Sequence, residues 1–125
     1  MKKIISTNNA PSAIGPYSQA VVAGNLLFTS GQIAIDPKSG ELNMSSIAVE
    51  TKQVMTNMAA VLEAAGTSFN NVVKTSIFLK NMDDFNTVNE VYAAFFESDF
   101  PARETVQVAK LPKDVNVEIS MIAQL

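Results

Sequence analysis

Two stretches of this chain carry apolar side chains at the three- and four-residue spacing of a helix, and a strand-like segment lies between them. The first helix is predicted over residues 46–65, and the second has an apolar stripe that runs from residue 85 to residue 96. Residues 72–80 alternate apolar and polar side chains, as a strand with one buried face does. Strands joined through helices favour right-handed crossovers, so this order restricts the folds that are open to the chain.

The boundaries of both helices are predicted from residues that start or stop helices. Gly66 follows the first helix, in the position where glycine commonly ends a helix. Asp83 or Asp84 can cap the start of the second helix. That helix must end before Pro101, because proline disfavours a helical conformation in the residue that precedes it.

Further strand-like segments flank the helices, and they are residues 18–23, 26–35, 102–109 and 115–122. Gly24-Asn25 separates the first two segments and can adopt the positive φ angles of a two-residue hairpin, so we expect these strands to pair antiparallel. The hairpin adds antiparallel pairing to the crossovers. The order therefore predicts a mixed β-sheet with two helices packed on one face, and the length fits a single domain over residues 1–125.

The composition excludes most familiar catalytic devices. The chain has a single arginine, no histidine and no cysteine, which excludes disulfides and argues against a zinc or other metal site. Its formal charge of -3 and its scattered lysines provide no stripe for a phosphate backbone, so no nucleic-acid partner is expected. No apolar run suits a signal peptide or a membrane span, and we predict a cytoplasmic protein with no membrane partner.

Arg103 and Glu118 are charged residues in strand-like segments whose other residues are largely apolar, and they are the best candidates for chemistry. If the two segments pair as neighbours, both side chains can project from the same surface of the sheet. One interpretation is that this surface is simply solvated. Phe28 and Phe78 favour another, because they make the same surface too apolar for free solvent, and a second subunit can cover it.

Two segments near the N-terminus add polar groups to the candidate site. Tyr17 follows a Gly-Pro turn, which is otherwise most often a loop with an aromatic plug. Gly31 follows Ser30 and interrupts a strand. Such a glycine either marks a bulge or leaves a backbone N–H open to a ligand.

Four motifs in order along the chain resemble those of the RidA/YjgF family of reactive-intermediate deaminases, at residues 15–20, 29–33, 101–108 and 111–119. The resemblance covers nearly the whole chain. It implies an α+β, chorismate-mutase-like fold assembled as a homotrimer, with ligand clefts between subunits. It also implies hydrolysis of 2-imino acids such as 2-iminobutanoate and 2-iminopropanoate, and of their enamine tautomers, to 2-keto acids and ammonia. No metal or organic cofactor is implied.

The resemblance also implies roles for individual residues. Arg103 would hold the substrate carboxylate, and a guanidinium can do so with two parallel hydrogen bonds. Glu118 would position or activate the attacking water. The remaining groups would line the cleft, and they are Tyr17, Ser30, the Gly31 amide, Asn89 and Thr105. Thr105 follows Glu104 where many members carry Ser-Cys, so Thr105 would keep a backbone contact and a small polar side chain.

Two other functions stay open at this point. A sensor or regulatory protein can bind small molecules in the same cleft without turnover. A ribonuclease, an activity also attributed to this family, is disfavoured by the acidic balance and by the absence of histidine, which leaves no usual acid-base pair.

Overall fold

The computed structural model describes residues 1–125 and contains six strands and two α-helices. The strands are β1 (Lys3–Ile5), β2 (Ala20–Ala23), β3 (Leu26–Thr29), β4 (Val72–Leu79), β5 (Ala102–Gln107) and β6 (Val117–Gln124). The helices are α1 (Ile47–Ala64) and α2 (Phe85–Ala93). The chain alternates strands and helices in the predicted order, and the first strand precedes the hairpin.

All six strands form one sheet in the order β1-β2-β3-β6-β4-β5. The β4–β5 pair is parallel, and every other pair is antiparallel. The mixed sheet of an α+β protein is therefore confirmed. β6 is a central strand, and its Val117, Ile119 and Met121 are buried beneath the helices.

The assumption that residues 102–109 and 115–122 pair as neighbours is wrong, because β4 lies between β5 and β6. The α2 crossover returns the chain parallel to β4, so β5 occupies the outer edge of β4. β6 then pairs antiparallel on the other side of β4. This strand order decides which face of the sheet each candidate side chain occupies.

The residues that start and end the helices lie close to the predicted ones. The Ser46 hydroxyl accepts a hydrogen bond from the Val49 amide at 3.1 Å and caps α1, and Gly66 adopts a φ of +79° beyond its end. Asp84 occupies the predicted N-cap position of α2, but the capping hydrogen bond is made elsewhere. Asn81 caps a preceding 3₁₀ turn by accepting from the Asp83 amide at 2.9 Å, whereas the Asp84 side chain caps nothing.

The core lies between the sheet and the two helices. Its largest fully buried apolar side chains are Leu27, Met55, Met58, Leu62, Ile77, Leu79, Ile119 and Met121. The other face of the sheet carries no helix, and Phe28 and Val106 on it remain 38% and 40% exposed. No helix is both long and apolar enough to cross a membrane. One face of the sheet is thus left uncovered within a single chain.

Candidate active site

Arg103 lies on the helix-covered side of edge strand β5. It stands in register with Thr75, which is fully buried beneath α2. Its Nη1 donates to Asn89 Oδ1 at 2.7 Å, and its Cζ lies 5.2 Å from the Tyr92 ring centroid and 5.6 Å from that of Phe85. These contacts from α2 orient the guanidinium and place aromatic faces beside its charge.

The Arg103 guanidinium has no carboxylate partner within the chain. The ion pairs of the structure join Lys74 to Glu104 and Lys80 to Asp114, each at 3.0 Å. Arg103 instead opens onto a cavity of about 400 Å³ whose other lining residues are Asn89, Tyr92, Ala93, Phe100 and Pro101. A guanidinium with free donors at the wall of a partly apolar cavity is suited to bind a carboxylate.

Tyr92 packs against the Arg103 guanidinium and forms a hydrogen bond with Thr75 of β4. Its hydroxyl is within 2.8 Å of Thr75 Oγ1, and both residues are buried. Burial raises the pKa of Tyr92, and the hydrogen bond with Thr75 and the nearby Arg103 charge oppose that rise. Tyr92 therefore stays neutral at physiological pH and provides an aromatic surface rather than a charge.

Glu118 lies on the opposite face of the sheet, where it stands in register with Phe78 of β4. Its carboxylate has no hydrogen-bond or ion-pair partner within the chain. Partial burial raises the pKa of Glu118, because desolvation disfavours the charged form. The opposing effect of an adjacent guanidinium does not arise within one chain, so burial decides the direction.

Ser30 and Gly31 lie beside Glu118, just beyond the end of β3. The Ser30 hydroxyl donates to the Ser18 carbonyl at 2.6 Å, which leaves its lone pairs available. The Gly31 N–H makes no hydrogen bond within the chain, whereas the flanking Ser30 and Gln32 amides donate to the Gln19 and Ile119 carbonyls. The Gly31 N–H is thus open, which is one of the two alternatives predicted for this glycine.

These groups share one cavity of about 590 Å³ with the half-exposed ring of Tyr17. Lys113 also lines this cavity, from a turn in which it adopts a φ of 55°. Lys113 belongs to the motif at residues 111–119, but no role was predicted for it. The sequence feature that points to Lys113 is its position in a Pro-Lys-Asp turn, five residues before Glu118.

Thr105 stands in register with Ile77 and faces the same side of the sheet as Arg103. Its Oγ1 is buried without a hydrogen-bond partner and lines neither cavity. Glu104 points to the other face, as predicted, and pairs with Lys74 and the Ser76 hydroxyl. Glu104 therefore does not neutralise Arg103.

The expectation that Arg103 and Glu118 project from the same surface is wrong. The register places Thr75 beside both Arg103 and Met121 on the helix-covered face, whereas Glu118 lies beside Phe78 on the uncovered face. One chain thus carries two separate half-sites. The arginine half-site comprises Arg103 and Asn89, and the glutamate half-site comprises Glu118, Gly31, Ser30 and Tyr17. No group of three or more His, Cys, Asp or Glu side chains is placed to hold a metal ion.

Comparison with known proteins decides the family. The family model described as Endoribonuclease L-PSP matches residues 7–125. The chain belongs to the RidA/YjgF family. The predicted resemblance is therefore confirmed, and the motifs that carry it contain every residue of the two half-sites except Asn89.

Individual members of the family are similar along nearly the whole chain. The human 2-iminobutanoate/2-iminopropanoate deaminase is 51% identical over 123 residues, which are 98% of this chain and 90% of the relative. The crystal structure of a Rid family protein from Yersinia pestis, of unknown function, superposes with a TM-score of 0.98 at 48% identity and covers all of both chains. That of Escherichia coli TdcF with bound serine superposes with a TM-score of 0.94 at 44% identity over 98% of each chain. The RidA/YjgF-like fold is thereby confirmed.

Proposed function

We propose that this protein hydrolyses reactive 2-imino acids and their enamine tautomers to 2-keto acids and ammonia, with 2-iminobutanoate and 2-iminopropanoate as substrates. The observation that carries the proposal is a pair of unpartnered charges of opposite sign, the Arg103 guanidinium and the half-buried Glu118 carboxylate. The deaminase name of the human relative supports the same reaction.

Arg103 provides substrate recognition in this proposal. Its free N–H groups bind the carboxylate of the imino acid through two parallel hydrogen bonds. Asn89 holds one nitrogen of the guanidinium, and the rings of Phe85 and Tyr92 restrict its rotation. Little conformational entropy is then lost when the substrate binds.

Glu118 provides the base. A protonated imine is already electrophilic, so the reaction requires an oriented water and a proton acceptor rather than a covalent nucleophile. The Glu118 carboxylate removes a proton from water as the oxygen attacks C2 and the C=N double bond becomes a single bond, and it returns that proton to the nitrogen. The C–N bond then breaks and releases ammonia, while the carboxylate takes the remaining hydroxyl proton and C2 becomes the carbonyl carbon of the 2-keto acid. Its raised pKa makes it a stronger base than a solvated carboxylate. The Gly31 amide and the Ser30 oxygen remain available to bind the attacking water or the substrate.

We further propose that the complete site forms between subunits of a homotrimer. Within one chain the two half-sites lie on opposite faces of the sheet, so a single copy cannot present both to one substrate. The uncovered sheet face carries partly exposed Phe28, Phe78 and Val106, which a second copy would bury. Assembly would then bring the arginine half-site of one copy to the glutamate half-site of its neighbour.

A small-molecule substrate fits the size of both cavities. A relative of this chain, TdcF of Escherichia coli, has been crystallised with bound serine, an amino acid that carries the same carboxylate as a 2-imino acid. We place the protein in the cytoplasm, because a short-lived imine must be intercepted where the threonine and serine dehydratases release it. We propose neither a nucleic-acid nor a membrane partner.

The test is a coupled assay with a threonine dehydratase and the purified protein. We expect faster formation of 2-ketobutyrate and no acceleration by Arg103→Ala. Lys38→Ala removes an exposed cation without an ion pair and serves as the matched control, which should keep the full rate. Wild-type acceleration by Arg103→Ala would refute the mechanism. Tight binding of 2-ketobutyrate without any acceleration by the native protein would identify a sensor instead.

A second assay distinguishes a nuclease from a deaminase. RNA cleavage by protein freed of contaminating nuclease, and lost with Glu118→Ala, would support it. The formal charge of -3 and the single arginine give the chain no evident track for a phosphate backbone, so we expect no cleavage.

A further inference from the structure

Glu50 is a buried carboxylate that the proposed reaction does not use. It lies in the first turn of α1, is fully buried and has no ion-pair partner. Its Oε2 accepts from the Asn116 and Val117 amides at 2.8 and 3.1 Å, and its Oε1 accepts from Asn116 Nδ2 at 2.8 Å. A buried charge requires such partners, and all three come from the two residues directly before Glu118.

These bonds replace a strand that is missing from one edge of β6. β3 pairs with β6 only from Ile122 to Gln124. Farther along the same edge the Met121 amide donates to Thr29 Oγ1 at 2.9 Å, and Ile119 exchanges two backbone hydrogen bonds with Gln32. Glu50 continues this series at Val117, where no strand remains. Residues 117 and 119 are thus held from the same edge, on either side of Glu118.

We propose that Glu50 is a positioning residue for the deaminase reaction, because its bonds to Asn116 and Val117 set where the Glu118 carboxylate lies against Gly31. This inference rests on the proposed function, in which Glu118 is the base. Glu50 itself contacts neither cavity, so it acts through the backbone of β6.

The glutamate half-site tolerates little displacement. A Cβ placed on Gly31 would lie only 2.5 Å from Glu118 Oε2, so this carboxylate already sits against the backbone of residue 31. Apart from Glu50, the turn before β6 is held by a hydrogen bond from the Lys80 amide to the Asn116 carbonyl and by the exposed Lys80–Asp114 ion pair. An error of about 1 Å in the position of a catalytic group can cost about 100-fold in rate. Losing the Glu50 bonds should therefore reduce turnover more than binding.

The experiment compares two substitutions of Glu50 in the otherwise native protein. Glu50→Gln keeps an oxygen that can accept from both amides, and a flipped Asn116 side chain can accept from the new amide group. Glu50→Leu leaves the Asn116 and Val117 amides without an acceptor. We expect Glu50→Leu to lower kcat about 100-fold and to leave the Kd for 2-ketobutyrate within about 2-fold, since Arg103 lies on the other face. Glu50→Gln should keep kcat within about 3-fold.

Thr51→Val is the matched control from the same turn of α1. Thr51 is also fully buried, but its hydroxyl donates to Ile47 within the helix and does not reach β6. This variant should lose stability and keep kcat. If Glu50→Leu does not fold, Asn116→Ala removes one of the three bonds, and it should lower kcat with an unchanged Kd.

Two outcomes would overturn the inference. One is a wild-type kcat for the folded Glu50→Leu protein, or for Asn116→Ala where Glu50→Leu does not fold. The other is an equal loss of kcat in Thr51→Val. Failure of the proposed function is distinguished by Glu118→Gln, because a wild-type kcat in that variant would show that Glu118 is not the base. If Glu118→Gln abolishes turnover while Glu50→Leu does not, the positioning role fails alone.

Discussion

Replacing Gly31 with alanine should displace the Glu118 carboxylate. An added Cβ would lie 2.5 Å from Oε2, 2.7 Å from Cδ and 2.9 Å from Cγ of Glu118. Optimal separations between carbon atoms begin at about 3.5 Å, so Cγ and Cδ of Glu118 must move by roughly 0.6 and 0.8 Å. The φ of Gly31 lies outside the left-handed region, so backbone strain adds nothing and the effect is steric.

The size of the effect follows from that displacement. A catalytic group misplaced by about 1 Å costs about 100-fold in rate, so a displacement of roughly 0.6 to 0.8 Å should lower kcat of Gly31→Ala by about 15- to 40-fold, with the logarithm of the rate falling in proportion to the displacement. The Kd for 2-ketobutyrate should change little, because Arg103 lies on the other face of the sheet. Overpacking usually costs about 1–3 kcal/mol. Because the half-exposed Glu118 side chain can move toward solvent, we expect Gly31→Ala to lose about 1 kcal/mol of stability.

The assay is the coupled dehydratase reaction in both the native and the Glu118→Gln backgrounds. If Gly31→Ala acts by moving Glu118, it should lower kcat in the native background and have no further effect once Glu118 is glutamine. Equal losses in the two backgrounds would show that Gly31 acts independently, for example through its free N–H. A native kcat for Gly31→Ala would refute the placement of the base.

Four further predictions concern the two half-sites. Arg103→Lys keeps the charge but loses the two parallel bonds, so calorimetry should show the Kd for 2-ketobutyrate rising about 10-fold, and an unchanged Kd would contradict carboxylate binding by Arg103. The raised pKa of Glu118 should appear in an NMR titration of the Arg103→Ala protein, where no neighbouring guanidinium opposes burial, as a midpoint above the usual carboxyl value of about 4.3, and a midpoint at or below that value would contradict burial as its cause. The same shift means that ionised Glu118 costs stability in this Arg103→Ala background: adding Glu118→Gln should stabilise the fold to urea at pH 7, and this gain should vanish as the pH falls below about 4.3, the unfolded value. Tyr92→Phe leaves Thr75 Oγ1 buried without a partner, so thermal unfolding should show a loss of about 1–2 kcal/mol, and an unchanged Tm would argue against this bond.

Local signals determined the elements of this fold. The first helix was predicted over residues 46–65 and is observed at Ile47–Ala64, because its apolar spacing and the Gly66 stop depend only on neighbours in the chain. The Gly24-Asn25 hairpin and the strand over residues 72–80 were predicted for the same reason and are confirmed. The sequence motifs also determined the family.

The tertiary structure alone decided how the candidate residues relate in space. Alternation along each strand correctly separated Arg103 from Glu104, and Glu118 from its buried neighbours. It did not reveal that Arg103 lies beneath α2, because β5 is an edge strand with no fully buried residue to mark its inner face. Strand order and register arise from the α2 crossover and from long-range packing, which no local pattern encodes. For the same reason the Glu50 carboxylate and the segment before Glu118, 66 residues apart, meet only in the folded chain.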